Sequence, residues 1–166
     1  MVDVLTPEQR HFNMSRIQGK DTGPELTVRR ALHSLGLRYR LHVRDLPGTP
    51  DLVFPKYSAV IFVHGCFWHY HFGCPLFKLP DTRQDFWREK LSRNSRRDSE
   101  AMTALKAMGW RVLTIWECAL KGPHKYDVRE VARIAHEFIA KPRTSLVEMT
   151  ITGGKGRRAQ SERNYR

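Results

Sequence analysis

Long hydrophobic runs are missing from this 166-residue chain, and cysteine is scarce. No apolar stretch approaches the ~20 residues of a membrane span, so insertion into a membrane is not expected. Nothing at the N-terminus reads as a secretory signal, and the three cysteines are an odd count. Both features argue against a secreted disulfide framework and for a reducing, cytoplasmic setting. Acidic residues are also in deficit: 17 Asp and Glu face 29 Lys and Arg, for a formal net charge of +12. The segment from Lys141 to Arg166 holds seven basic and two acidic residues and supplies +5, so the rest keeps +7. The body of the chain is therefore basic in its own right, which points to a polyanionic partner. A basic surface serving only solubility is the plainer alternative. There is no internal repeat, and the length suits one domain that buries about two thirds of its unfolded surface.

Helix and strand signals alternate. Thr6-Pro7-Glu8-Gln9 reads as a capped helix start, and Thr22-Gly23-Pro24-Glu25 as a second, followed by Leu26, Ala31, Leu32 and Leu35 at helical spacing until Gly36. Strands are expected over Arg38 to Val43, Asp51 to Phe54, Ala59 to His64 and Arg111 to Trp116. A long charged helix capped at Asp81-Thr82 and interrupted near Ser92 should run to Met108, and an amphipathic one covers Val128 to Ala140. The pattern predicts an α/β domain over residues 1–141 and a basic, disordered tail over 142–166. A right-handed crossover through the long helix would make the strands ending at His64 and Trp116 parallel, bringing Cys66 and Cys118 to one sheet edge. A hairpin of the second and third strands would set Asp51 opposite Phe62, with His64 diagonal to it.

Between His64 and Cys74, histidines and cysteines interleave with Phe67, Trp68, Tyr70 and Phe72. Cys66-x4-His71-x2-Cys74 with the distant Cys118 uses every cysteine and supplies three thiolates and an imidazole, the donor set of a structural zinc site. His69 in place of His71 is a second arrangement, and buried thiols with surface histidines a third. A zinc deaminase would need His-x-Glu with Pro-Cys-x-x-Cys, a pair this chain does not have.

Pro50-Asp51 at a strand start is the first half of a weak nuclease signature, in which the carboxylate holds a divalent ion against a phosphate; an aspartate capping a turn is the common alternative. The usual second half, an acid and a lysine on the next strand, is absent, and Val63-His64-Gly65 stands there. A histidine, His64 or His69, can serve as general base instead. Trp87, Lys90, Asn94 and Asp98 share a helix face from which Asp98 could orient a histidine. Phe67 and Trp68, with Trp87 as a third ring, suit a wedge between base pairs as well as a core. Met14 and Ile17 read first as core.

Taken together, Asn13-Met14, Asp21-Thr22, Leu46-Pro47-Gly48-Thr49-Pro50-Asp51, Val60 to His69, Phe86-Trp87-Arg88-Glu89-Lys90, Arg97-Asp98, Gly109 to Leu113 and Trp116 to Leu120 resemble the very short patch repair mismatch endonucleases. The resemblance covers roughly residues 11–120. It implies a restriction-endonuclease-like mixed sheet flanked by helices, and nicking of double-stranded DNA 5′ to the thymine of T:G mispairs left by 5-methylcytosine deamination. It implies that Asp51 and the Val63 backbone carbonyl hold Mg2+, and that His69 is the base with Asp98 behind it. Glu25 and His64 would complete the catalytic set, with Zn2+ on Cys66, His71, Cys74 and Cys118. Phe67, Trp68 and Trp87 would intercalate from the major groove, and Met14 and Ile17 approach the minor groove. A monomer is expected, with downstream repair proteins as further candidate partners. Valine at 63 departs from the threonine frequent in the family, and the segment from Tyr70 to Cys74 is one residue longer.

Overall fold

A computed structural model describes residues 6–17, 19–141 and 146–154. Two capping boxes open the chain. In α1 (Pro7–Ser15) the Thr6 hydroxyl accepts the Gln9 N–H while the Gln9 side chain accepts the Thr6 N–H. In α2 (Gly23–Ser34) Thr22 and Glu25 do the same, which fixes Glu25 in the first helical turn.

Five strands follow in sheet order β1 (Arg40–Leu41), β2 (Leu52–Phe54), β3 (Ala59–His64), β4 (Arg111–Trp116) and β5 (Glu148–Ile151). β1–β2 and β2–β3 are antiparallel, and β3–β4 and β4–β5 parallel. Between β3 and β4 runs α3 (Gln84–Ala107), and between β4 and β5 α4 (Val128–Ala140). Alternation along the strands divides the core. Leu52, Phe54, Ala59, Ile61, Leu113 and Ile115 pack with Val28 and Leu32 of α2 and Val131, Ala135, Phe138 and Ile139 of α4. Val53, Val60, Phe62 and Val112 face Leu105 and Met102 of α3 on the other side. The result is a sheet between helical layers, with Asp51 and His64 emerging toward α3.

The expected parallel pair and hairpin register both hold: Leu52 pairs with Ile61, so one step further Asp51 lies across from Phe62. Four expectations are corrected. β1 is two residues long because His42 takes a left-handed backbone (φ 46°) that ends the extended run. α3 starts after Arg83, not at Asp81-Thr82, and is continuous through Ser92, its middle anchored by fully buried Leu91. Met14 and Ile17 are exposed rather than core. The segment 142–166 is not wholly a tail: Glu148–Ile151 is strand, held by the β4 edge, buried Ile151 and a Glu148–Lys106 ion pair. The expected disorder beyond it falls on residues 155–166, which lie outside the described residues. Among the described residues no helix is long and apolar enough to cross a membrane.

The loop leading to Asp51 is pinned by Gly48, whose φ of 71° favours glycine and whose missing side chain matters sterically. A Cβ there would stand 2.6 Å from Ala101 Cβ and 3.2 Å from the Phe62 ring. Gly48→Ala should cost about 2–4 kcal/mol, from left-handed strain plus overpacking. Thermal melting checks this, and a loss under about 0.5 kcal/mol, the ordinary surface-substitution range, would contradict it.

Candidate active site and metal cluster

An open cleft of about 1170 Å³ lies at the C-terminal ends of β3 and β4, where Asp51, Val63, His64, His69, Asp98 and Glu25 all line its wall. Asp51 is held by the Val63 N–H, which donates to its Oδ2 at 2.7 Å. Burial pushes the Asp51 carboxyl up, against the smaller opposing effect of that hydrogen bond. A largely buried carboxylate whose burial outweighs the nearby His42, His69 and Arg29 suits a site where a hard divalent cation binds.

His64 closes β3 and is 4% exposed. Its ring stacks on His69, with centroids 3.8 Å apart and planes within 1°. Burial first, and the neighbouring His69 second, hold His64 well below the usual imidazole range, so it is neutral at pH 7. His69 Nδ1 lies 2.6 Å from Asp98 Oδ2. The carboxylate accepts a hydrogen bond from Nδ1–H, so the lone pair of the ring is on Nε2, where it can take up a proton. α3 thus brings the Asp98 carboxylate, on the helix face with Trp87, Lys90 and Asn94, against a histidine of the 64–74 loop.

His71 points the other way. Its Nδ1 is 3.4 Å from Cys66 Sγ and 3.6 Å from Cys118 Sγ. With Cys74 the four ligand atoms lie within 4.8 Å of one another. Metal–sulfur bonds of about 2.3 Å from a central tetrahedral ion span such a space, so the donor set fits a metal ion. The acid–base chemistry says the same: the Cys66–Cys118 hydrogen bond draws Cys118 down into the thiolate range while pushing Cys66 up, so the two sulfurs do not both carry charge without a cation. Geometry therefore separates the two histidines, His71 with the sulfurs and His69 with Asp98.

Three supports of this cluster were not apparent in the sequence. Glu117 Oε2 accepts the Cys66 N–H at 3.1 Å. Trp116 stacks on His71 at 4.0 Å. The segment after β5 reaches in as well: Thr152 Oγ1 is 3.5 Å from His71 Nε2, and the Gly153 N–H donates to Cys118 Sγ at 3.3 Å. Only the parallel docking of β5 brings those residues there, and no local motif signals it.

Phe67 and Trp68 are half-buried at the cleft wall and meet Trp87 edge-on, with centroids 5.4 and 6.1 Å away. The Lys90 ammonium stands 5.4 Å above Trp87 and 5.6 Å above Trp68, and Asn94 Nδ2 donates to the Trp68 carbonyl at 3.1 Å. The three rings thus form a rigid aromatic ledge beside the acidic and histidine groups. Ile17 lines the cleft and Met14 is exposed on α1. Glu25 is 2% exposed and paired with Arg29, a partner one helical turn on.

The family model described as DNA mismatch endonuclease Vsr matches residues 2–74. The type II nicking enzyme V.XorIIP of Xanthomonas oryzae pv. oryzae is 52% identical over 120 residues, covering 72% of this chain and 88% of that protein. The DNA mismatch endonuclease Vsr of Escherichia coli is 43% identical over 139 residues, covering 84% and 88%. Among solved structures, the catalytic domain of the homing endonuclease I-Bth0305I is similar with a TM-score of 0.48 and 21% identity, covering 71% of this chain and 94% of that one. Identity of this extent over nearly the whole length of two curated proteins is decisive, and the chain belongs to the DNA mismatch endonuclease Vsr family.

Proposed function

We propose that this protein is a DNA-nicking endonuclease that cuts double-stranded DNA 5′ to the thymine of T:G mispairs arising from 5-methylcytosine deamination, and so begins very short patch repair. It would do so as a monomer in the bacterial cytosol or nucleoid, on a restriction-endonuclease-like core. The observation that carries the reading is the convergence of Asp51 with the His64–His69–Asp98 array in one cleft. Family membership with nicking enzymes supports it.

Asp51, with the Val63 backbone carbonyl, would hold Mg2+, which when bound supplies Lewis acidity toward the phosphodiester. His69 accepts a proton from the attacking water through Nε2, and Asp98 stabilises the imidazolium that results. The water oxygen bonds to phosphorus as the P–O3′ bond breaks, and the departing 3′ oxygen takes a proton from solvent to leave as a 3′ hydroxyl opposite a 5′ phosphate. Buried, neutral His64 keeps the stacked pair from carrying two positive charges. Glu25 completes the acidic wall. Cys66, His71, Cys74 and Cys118 would hold structural Zn2+, bracing the loop that carries His69 and both wedge rings.

Phe67, Trp68 and Trp87 suit insertion beside the mispair, where a wobble pair is cheaper to unstack than a matched one. Ile17 on the cleft wall and exposed Met14 on α1 suit the opposite groove. Trp68→Ala should weaken binding to a T:G duplex by about 1–3 kcal/mol, the size of a base–aromatic stack. Fluorescence anisotropy measures it, and an unchanged Kd would remove Trp68 from the interface. The reading as a whole is tested with a panel of duplexes carrying each mismatch in varied contexts, with magnesium and then with chelator. Nicking confined to T:G with magnesium is expected. Binding without nicking would leave a zinc-braced, non-catalytic DNA-binding protein.

A further inference from the structure

His42 lies directly after β1 in a strained left-handed backbone, φ 46°, a conformation that costs a non-glycine residue and persists where its surroundings demand it. The backbone angle aims its ring into the cleft between two carboxylates. Nε2 is 3.1 Å from Glu25 Oε1, and Nδ1 is 3.9 Å from Asp51 Oδ1. The same Nε2 is 2.7 Å from the Arg29 guanidinium, which has only donors. Nε2 then accepts from Arg29 and makes no hydrogen bond of its own to Glu25, so the ring reaches that carboxylate through the guanidinium, while Nδ1 is the nitrogen that faces Asp51. Arg29 is itself fixed: it is 8% exposed, pairs with Glu25, and reaches Asp21 Oδ1 at 2.6 Å.

Asp21, Glu25 and His42 have the donor set of a cation site, but the guanidinium already lies among all three, so the cluster is complete without an ion. Its geometric consequence is a chain of contacts from Glu25 through Arg29 to the His42 ring, which ends beside Asp51. Glu25 belongs to the first turn of α2 and Asp51 to the start of β2, and His42 spans them.

We propose that His42, locked by the buried Arg29 cation, is a positioning residue that fixes the Asp51 and Glu25 carboxylates relative to one another across the cleft. This rests on the nuclease reading above. Without the ring, Asp51 keeps the Val63 N–H but loses the group packed 3.9 Å from its other oxygen, and the Glu25–Arg29 pair loses the side chain that joins it to the Asp51 segment. Misplacement of a metal-binding carboxylate lowers both ion affinity and turnover, whereas affinity for DNA, which is made elsewhere on the cleft, is untouched.

The test uses His42→Leu, which keeps bulk and removes both polar atoms, and His42→Gln, whose amide can accept from Arg29 and donate toward Asp51. Single-turnover nicking of a T:G duplex, magnesium affinity by calorimetry, duplex Kd without metal, and melting temperature are measured on the full chain. H42L should nick about tenfold more slowly and bind magnesium about tenfold more weakly, with Kd for DNA unchanged, and H42Q should recover most of both losses. The assignment is overturned by H42L nicking within about twofold of wild type, by H42Q as impaired as H42L, or by a deficit explained wholly by a smaller folded fraction. Wild-type protein that fails to nick T:G duplexes would instead sink the nuclease reading itself.

Discussion

Replacing Asp51 with asparagine is expected to lower the nicking rate by about three orders of magnitude, equivalent to about 4 kcal/mol of transition-state stabilisation. Binding to the T:G duplex should survive, since the aromatic ledge and the basic surface are unchanged. The fold should not suffer either. Burial raises the Asp51 carboxyl in the folded state, so folding favours its protonated form. The contribution to stability is therefore present at low pH and declines as pH rises above the unfolded value toward the raised folded one. At neutral pH the ionised group is a liability that the neutral amide removes. An unchanged or higher melting temperature alongside lost activity is the signature of a residue kept for chemistry. A variant that retains nicking, or loses it only by unfolding, would contradict the role given to Asp51.

The other large effect is expected from the metal cluster. Cys66→Ser should reduce zinc from about one ion per chain to near zero and cost at least about 4 kcal/mol, the range reached when a structural metal is lost. For a domain of this size that is roughly 10 °C in melting temperature. Activity should go with it, because His69 and both wedge rings sit on the loop between Cys66 and His71. The cluster closes the two ends of that loop, whose middle is tied to α3 by Asp98 on His69, Asn94 on the Trp68 carbonyl and Trp87 against the rings. Gly153→Ala reaches the same cluster from the other side, since a Cβ would fall 2.1 Å from the Cys118 carbonyl oxygen. Atomic absorption with melting curves checks both variants. A C66S protein that holds zinc, or wild-type protein that has none, would remove the brace.

Much of this site was legible because its residues are local or tied to sheet register. The Asp51–His64 relation follows from two short strands and a four-residue connection, and the approach of Cys118 to Cys66 follows from one parallel pair. Asp98 was readable from helix spacing, although α3 begins later and runs unbroken. The choice between His69 and His71 was not: neighbours on one loop diverge by backbone geometry, Tyr70 taking a left-handed φ of 57° between them. β5 was missed because Glu148-Met149-Thr150-Ile151 is short and follows a basic stretch; its strand character comes from the β4 edge rather than from its own pattern. His42 escaped notice for a related reason. Its role depends on a left-handed turn that cuts β1 short, and nothing at Leu41-His42-Val43 announces that turn. Met14 and Ile17 looked apolar enough for a core, yet α1 and the turn after it are exposed, at 37% for Met14 and 46% for Ile17.

Single-turnover cleavage by wild-type protein of a 5-methylcytosine-derived T:G duplex, beside the same duplex restored to C:G, tests the central claim most directly. Nicking on the thymine strand, 5′ to the mispaired base, abolished by chelation, restored by magnesium and absent from the C:G duplex is the expected result. Equal cutting of both duplexes, or binding of the T:G duplex with no cut at any magnesium concentration, would contradict it.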